Sequence, residues 1–477
     1  MVSRIVIREY EEIYRGEETL RGDKVCLSKK AYDNLFYSIT DEKTGEDISK
    51  VISIHSKNQQ EYIKASKYVG TIQTSDGTTI EILPKIYSVP LGDADNVGAS
   101  ICSVEESKRI FLYMLQHFKD ENGVSFQVAS LDTHSDFPIL EAYVYMYLQK
   151  LEKLIKGGIK KNYSQIEESS NCLKGKLVIQ KQVVRECIDK TKFIIRHNKF
   201  QDNIPQNRIL VTTLIKLKEV SHNSTNRQMI NEFLAILDGI PSSTNIASDL
   251  QQSFKGNRLF SDYQKLLEWS SLFLTDKGIV TFSGKYINQS FLFPADKLFE
   301  SFVAFLAKKY LSKDFIVNAQ DKRHYLIEDH SGHRMFNLRP DLYLERRDPS
   351  RGDLPERVII DTKWKRLDQN NHKGYNIDQQ DLYQMFAYGK KYQKDGSIPK
   401  MVLLYPYCET FTTSLSSFIY DMNIEGNGLQ VIASSFNLAD KQNYESMLTE
   451  LMRTVGHSHK IKEMLRESEE RNAAELQ

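Results

Sequence analysis

The chain has 477 residues, more than one compact core accommodates, so several domains are expected. Its 64 Lys plus Arg nearly cancel 63 Asp plus Glu, giving a formal net charge of +1. That balance excludes a global basic field, and any nucleic-acid site must be a local groove.

Five scattered cysteines without a CxxC pair argue against a disulfide framework or a thiolate zinc site. The opening MVSRIVIREYEE is charged at once, and no apolar run approaches the ~20 residues that span a bilayer. The expectation is a soluble cytoplasmic protein with no membrane association.

Residues 1–104 are expected to form a β-rich domain. Short apolar runs recur there (SRIVIREY, KVISIHS, YVGTIQT, TTIEILPKI), and Asp76-Gly77 marks a two-residue hairpin turn. Residues 88–104 look like a turn-rich connector.

A mostly helical middle region, 105–278, follows. Apolar spacing predicts helices over 105–120 and 137–158, then a strand-containing unit at 173–183. From 193 an extended stretch passes into a helix near Pro205, and more helices are expected at 224–238 and 259–275.

Over 279–440 the pattern becomes a helix (293–311), a strand meander (HYLIEDH with HRMFNL, RPDLYLERR, RVIIDTKWK), a helix (377–394) and a strand (400–406). That order predicts a mixed α/β sheet flanked by helices. A charged helical tail, 441–477, closes the chain. The expected class is multidomain α+β.

The chemistry concentrates in RVIIDTKWK. Asp361 and Lys363 are two apart on a strand and so project from one face. A meander brings Asp341 beside Asp361 on the neighbouring strand. Two close carboxylates repel unless a cation sits between them, and hard oxygen ligands with open water positions suit Mg²⁺. A lysine on the same face can orient an attacking water or offset charge on a phosphorane.

A D-x-K triplet alone is most often a surface ion pair. Two further features raise its weight. Glu300 lies in a helix apolar almost all round, where a carboxylate needs a metal or a basic partner. Gln384 and Tyr388, at i and i+4, share a helix face with Gln380, while Leu382, Met385, Phe386 and Gly389 are expected to pack on the sheet. Lys365 and Arg366 follow the strand and are candidate phosphate contacts. His324, His330 and His333 fit a hairpin tip better than a zinc site.

Asp341, then Asp361-Thr362-Lys363, then Gln384-x-x-x-Tyr388, resemble the PD-(D/E)XK nuclease pattern with its trailing QxxxY helix, and Pro340-Asp341 supplies the literal PD. More narrowly the chain resembles the McrC family, the nuclease subunits of McrBC modified-cytosine restriction systems. VGTIQTSDGTTIEILPKI (69–86), LKGKL (173–177) and FQDNIPQNRILVTTL (200–214) carry that likeness upstream.

The resemblance implies a C-terminal restriction-endonuclease-like domain. It implies Mg²⁺ held by Asp341, Asp361 and Glu300, with Mn²⁺ able to substitute. It also implies double-stranded DNA as substrate and an McrB-like AAA+ GTPase hexamer, docked through the N-terminal part, as partner. The sequence contains no G-x-x-x-x-G-K-[ST] loop, and its nearest approach, GIVTFSGKY (278–286), has the wrong spacing. Two other readings compete: a non-cleaving adaptor that activates a partner NTPase, and a stand-alone repair or junction nuclease of the same fold.

Overall fold

The computed structural model describes residues 4–16, 25–40, 48–57, 59–88, 100–118, 138–186, 191–254, 260–274, 287–348, 354–394, 397–420 and 429–457. Most of the connector expected over 88–104, the segment 278–286 and the tail beyond 457 lie outside them, as does Cys187. The cysteines that are described, Cys26, Cys102, Cys172 and Cys408, are all free. Among the described residues no helix is long and apolar enough to cross a membrane.

The N-terminal region builds two four-stranded sheets. One contains β2 (Glu12–Arg15), β3 (Val25–Leu27), β4 (Ile52–Lys57) and β5 (Gln60–Ala65), in the order β3-β2-β5-β4. The other joins β1 (Arg4–Arg8), β6 (Tyr68–Thr74), β7 (Thr79–Leu83) and β13 (Ile287–Pro294), in the order β1-β7-β6-β13.

Helix α1 (Lys29–Thr40) packs on these sheets through Ala31, Tyr32 and Leu35. It was not expected in a β-rich stretch, and its Ser, Thr and Tyr content gives it weak intrinsic helicity, so tertiary burial holds it. The expected hairpin is present, with a longer loop than two residues: Thr74 N–H donates to Thr78 O at 2.9 Å, and Gly77 adopts φ 91° within residues 75–77. Asp76 takes hydrogen bonds from the hydroxyls of Thr74 and Thr78, pinning that loop.

Strand β13 lies beyond the 278/279 boundary expected from sequence, yet it is hydrogen-bonded to β6. At Gly70 (φ 140°) a Cβ would stand 2.0 Å from Phe291 O, so only glycine lets the two strands meet.

Short strands β8 (Tyr87–Ser88) and β9 (Ser100–Ile101) lead into the helices of the middle region. These are α2 (Val104–Gln116), α3 (Ile139–Lys156), α5 (Pro205–Val220), α6 (Ser224–Ile236), α7 (Ile246–Ser253) and α8 (Ser261–Leu274). Pro205 opens α5 where its missing N–H costs nothing.

Buried carboxylates stitch this region together. Glu141 of α3 accepts from Ser221 Oγ at 2.7 Å, Asn223 N at 3.0 Å and Asn226 Nδ2 at 2.8 Å, which fixes the α5–α6 corner. Glu81 of β7 accepts from Arg4 at 2.7 Å and from Ile139 N at 2.6 Å, tying the N-terminal sheet to α3.

The region is not helical throughout. Strands β10 (Asn162–Ser170), β11 (Lys176–Leu177) and β12 (Phe193–Gln201), with α4 (Ile179–Glu186), form a separate three-stranded unit ordered β10-β12-β11. The long partner β10 was not expected: its residues NYSQIEESS alternate half-buried and exposed without an apolar stripe.

The C-terminal sheet contains β14 (Phe315–Ala319), β17 (Leu342–Arg346), β18 (Arg357–Thr362), β19 (Lys400–Pro406), β20 (Phe418–Ile419) and β21 (Gln430–Phe436). Its order is β14-β17-β18-β19-β21-β20. Pairing is antiparallel from β14 to β18 and parallel across β18-β19-β21. The segments HYLIEDH and HRMFNL do not extend this meander. They form their own hairpin, β15 (Tyr325–His330) with β16 (His333–Asn337).

Strand alternation sorts the core. Val358, Ile360, Val402 and Leu404 pack with α9 (Ala295–Tyr310) and α11 (Tyr444–His457), whereas Ile359, Met401 and Leu403 pack with α10 (Gln379–Lys391). The start of the expected tail is therefore core structure: Tyr444, Leu448 and Met452 are buried against the sheet.

Candidate active site

Position in the pleat decides which side chains meet. The β17–β18 register pairs Leu342 with Ile360, so one step further sets Asp341 opposite Asp361. The regular ladder stops there because the Asp341 carboxylate replaces a backbone acceptor. Its Oδ2 accepts from Thr362 N at 2.8 Å and from Thr362 Oγ1 at 2.6 Å.

Asp361 and Lys363 share the α10 side of the sheet, and Lys363 Nζ stands 2.7 Å from Asp361 Oδ2. The same ammonium donates to Gln384 Oε1 at 2.8 Å and lies 3.3 Å from Asp381 Oδ1. Gln384 Nε2 in turn donates to Tyr388 Oη at 2.7 Å. The expected Asp361, Lys363, Gln384 and Tyr388 thus form one connected chain.

Asp381 was missed. It stands at i, i+3, i+7 with Gln384 and Tyr388, and that spacing alone carried the signal. Gln380, expected on this face, is exposed. Met385 and Gly389 do pack on the sheet, where a Cβ at 389 would meet Leu429 Cδ1 at 2.2 Å. Phe386 does not: it is 40% exposed, because a helix face wide enough for Tyr388 and Asp381 turns it outward.

Glu300 of α9 reaches the site from the sheet's other flank, and the expected basic partner is present. It makes an ion pair with Lys297 at 3.0 Å, and Gln320 Nε2 bridges it to Asp341 Oδ1, 3.2 Å away on the aspartate side. Gln320 was missed, since a lone glutamine at the end of β14 carries no pattern.

Lys365 Nζ is taken by Asp381 at 2.9 Å and Asp378 at 3.3 Å. Arg366 donates to Tyr87 Oη and lies 3.7 Å from Glu409. Trp364, pointing to the opposite side from Lys363, donates from Nε1 to Glu9 at 2.8 Å and packs against Phe299.

The electrostatics are those of crowded acids. Burial, then the neighbouring Asp361, pushes the Asp341 carboxyl up to about 6. Burial also raises Asp361, although Lys363 works against it. Glu300 is raised by burial and by Asp341. Burial alone would pull the Lys363 ammonium down, but Asp361 and Asp381 together hold it above the usual lysine range. Two neighbouring acids that resist ionising, with the one lysine held on Asp361 and Asp381, lack compensating positive charge.

A divalent cation fits that deficit. Asp361 Oδ2 is buried and, despite its close contact with Lys363, makes no hydrogen bond of regular geometry among the described residues. Among those residues no three His, Cys, Asp or Glu side chains form a closed metal cage. Mg²⁺ does not require one, because it keeps several waters and binds through one or two carboxylates. His330 and His333 face each other across the exposed tip of the β15–β16 hairpin, and His324 stacks on Tyr392 with ring centroids 4.3 Å apart.

A family model described as "McrBC 5-methylcytosine restriction system component" matches residues 63–406. A solved chain from the refined half-complex of a tetradecameric assembly of Thermococcus gammatolerans McrB AAA+ hexamers with bound McrC aligns over 94% of this chain and 100% of its own, with TM-score 0.56 and 16% identity. That likeness shows a shared fold. A chain from the cryo-EM structure of the Thermococcus gammatolerans McrBC complex aligns over 65% of this chain and 88% of its own, with TM-score 0.43 and 18% identity. No functionally curated protein matches the sequence.

Proposed function

The chain belongs to the McrBC family of restriction-system components, and from that premise we propose that it is the McrC-like subunit, a Mg²⁺-dependent DNA endonuclease that works with an AAA+ GTPase partner. One observation carries the reading. Buried Asp361 and half-buried Asp341 stand side by side with raised pKa values, and Lys363 is held against Asp361 by Gln384 and Asp381.

Asp341 and Asp361 would hold the ion, with Glu300 reaching it through a water, and Mn²⁺ would suit the same oxygen ligands. The chemistry a divalent ion supplies when bound is charge neutralisation of the scissile phosphate and acidification of water. Thr362 fixes one Asp341 oxygen, leaving the other toward Glu300 and Gln320. Lys363 is protonated in this arrangement, so its role is to place a water and to offset negative charge on the phosphorane rather than to take a proton at the outset. Gln384, itself anchored on Tyr388, sets the reach of that ammonium.

The nuclease unit runs from α9 to α11, since both helices cover the sheet that carries the site. The remainder docks the partner. The solved relative's description, McrB AAA+ hexamers with bound McrC, supports such a partner here. So does the absence of a phosphate-binding loop from the sequence. The best surface for docking is the β10-β12-β11 unit with α4, where Tyr163 and Ile179 are each 69% exposed and Val183 60%.

In a purified complex with the partner, Asp361→Ala should abolish Mg²⁺-dependent DNA cleavage while partner binding persists. Cutting at the wild-type rate by that variant would overturn the assignment.

A further inference from the structure

Where the N-terminal sheet meets the end of the catalytic strand, a cavity of about 370 Å³ opens, lined by Glu9, Tyr10, Lys85, Trp364, Lys365 and Arg366 among others. We propose that this cavity binds an unpaired nucleotide of the DNA substrate, an inference that rests on the nuclease reading above.

Of the three cationic residues on the cavity walls, Lys365 is paired with Asp378 and Asp381 and Arg366 with Tyr87 and Glu409, so the charge offered to a ligand is chiefly that of Lys85. A backbone phosphate is a ligand such an ammonium takes, because nucleic-acid affinity is largely phosphate neutralisation. Two aromatic residues, Tyr10 and Trp364, share the same walls, and stacked bases favour aromatic platforms interleaved with positive charge.

Tyr10 is 51% exposed and sits at φ 65°, a left-handed conformation costly for a tyrosine. The turn that imposes it is held by Glu9 N–H donating to Leu83 O at 3.0 Å and Glu11 N–H to Arg8 O at 3.1 Å. The fold thus maintains strain that keeps an aromatic ring at the cavity instead of in a core.

Glu9, 3% exposed, is the pin of the arrangement rather than a competitor for the ligand. One oxygen accepts from Lys85 N at 2.9 Å and the other from Trp364 Nε1 at 2.8 Å, which locks both walls together across 355 residues of sequence. Burial pushes its carboxyl up to about 7, so near neutrality it carries only part of a negative charge against an incoming phosphate.

Size selects the form of the ligand. The volume lies in the range of small-ligand pockets, whereas a duplex, whose major groove alone is about 12 Å wide, cannot enter. Trp364 directly follows Lys363 in the chain but points to the opposite side, so the cavity adjoins the active site across the end of β18.

The chain contains two tryptophans, and Trp269 is fully buried in the middle region, so Trp364 reports on the cavity by its fluorescence. The full-length chain in EDTA, where no cleavage occurs, is titrated with oligothymidylate and with a blunt duplex of equal length. Oligothymidylate should quench the emission, the duplex should do so at least fivefold more weakly, and Trp364→Phe should abolish the signal. Tyr10→Ala and Lys85→Glu should each weaken quenching at least fivefold, whereas Tyr10→Phe, which keeps the ring, should bind as wild type.

Absence of quenching in a chain whose partner complex still cuts DNA overturns the cavity and leaves the nuclease reading standing. Quenching unchanged in both Tyr10→Ala and Lys85→Glu, or equal quenching by the duplex, overturns it as well. Quenching by a chain that never cuts DNA sinks the nuclease reading instead.

Discussion

Two regions of this molecule break the ordinary rules of burial in opposite directions. At the end of β18, charged groups are buried: Asp361 is 2% exposed, Asp381 6%, and the Lys363 side chain 17%. In the β10-β12-β11 unit, apolar groups are exposed and the charges make only surface pairs, such as Arg196 with Glu167. Burying acids costs several kcal/mol unless a cation is supplied, and leaving valines in water forfeits their burial energy. On the proposed reading each violation is met by a ligand, a metal ion for the first region and a protein surface for the second.

The contrast can be broken by pH. Glu9 near 7 and Asp341 near 6 have folded pKa values above the usual carboxylate range, so their contribution to stability is full at low pH and is lost as pH rises through those values. Metal-free chain should therefore be less stable to urea at pH 8 than at pH 5, by about 3 kcal/mol at most from Glu9 alone. A pH-independent midpoint would show that these acids are solvated. The exposed unit makes no matching contribution.

Substituting the exposed unit sharpens the other half. Ile179→Asp combined with Val183→Asp should weaken partner binding by roughly 1–3 kcal/mol, read by calorimetry. The melting temperature should barely change, since exposed substitutions typically stay within about 0.5 kcal/mol each. A large loss of stability with binding intact would make the patch structural.

The smallest expected effect is at the rim of the acid cluster. Tyr388→Phe removes the hydroxyl that accepts from Gln384 and should slow cleavage by several-fold, in line with about 1 kcal/mol for one hydrogen bond. A loss as deep as that of Asp361→Ala would mean that the tyrosine itself contacts substrate.

What was legible in the sequence was local. Alternation along RVIIDTK put Asp361 and Lys363 on one face, and a four-residue step put Gln384 and Tyr388 on one helix stripe; both hold in three dimensions. What was not legible depended on long-range pairing. Strand β13 joins β6 across more than 200 residues, and no periodicity announces such a partner. A fragment ending at 280 would lose β13, which contributes Leu292 to one core and Phe293 to another, so the chain cannot be cut there without exposing both.

Gln320 and Glu9 were invisible for the same reason. Each acts through a contact made only after the sheets have assembled. Arg366 shows the converse: a basic residue beside a catalytic strand suggested phosphate, and in the fold its guanidinium is already engaged by Tyr87 and Glu409.

The account's central claim is that residues 341 and 361 converge to bind one divalent ion. Calorimetric titration of Mg²⁺ into the full-length chain at pH 8 tests it directly. Wild type should bind, with weaker apparent affinity at pH 5.5 where the acids hold protons, and Asp361→Asn should not bind. Equal binding by that variant, or none by a wild-type chain whose complex cuts DNA, would contradict it.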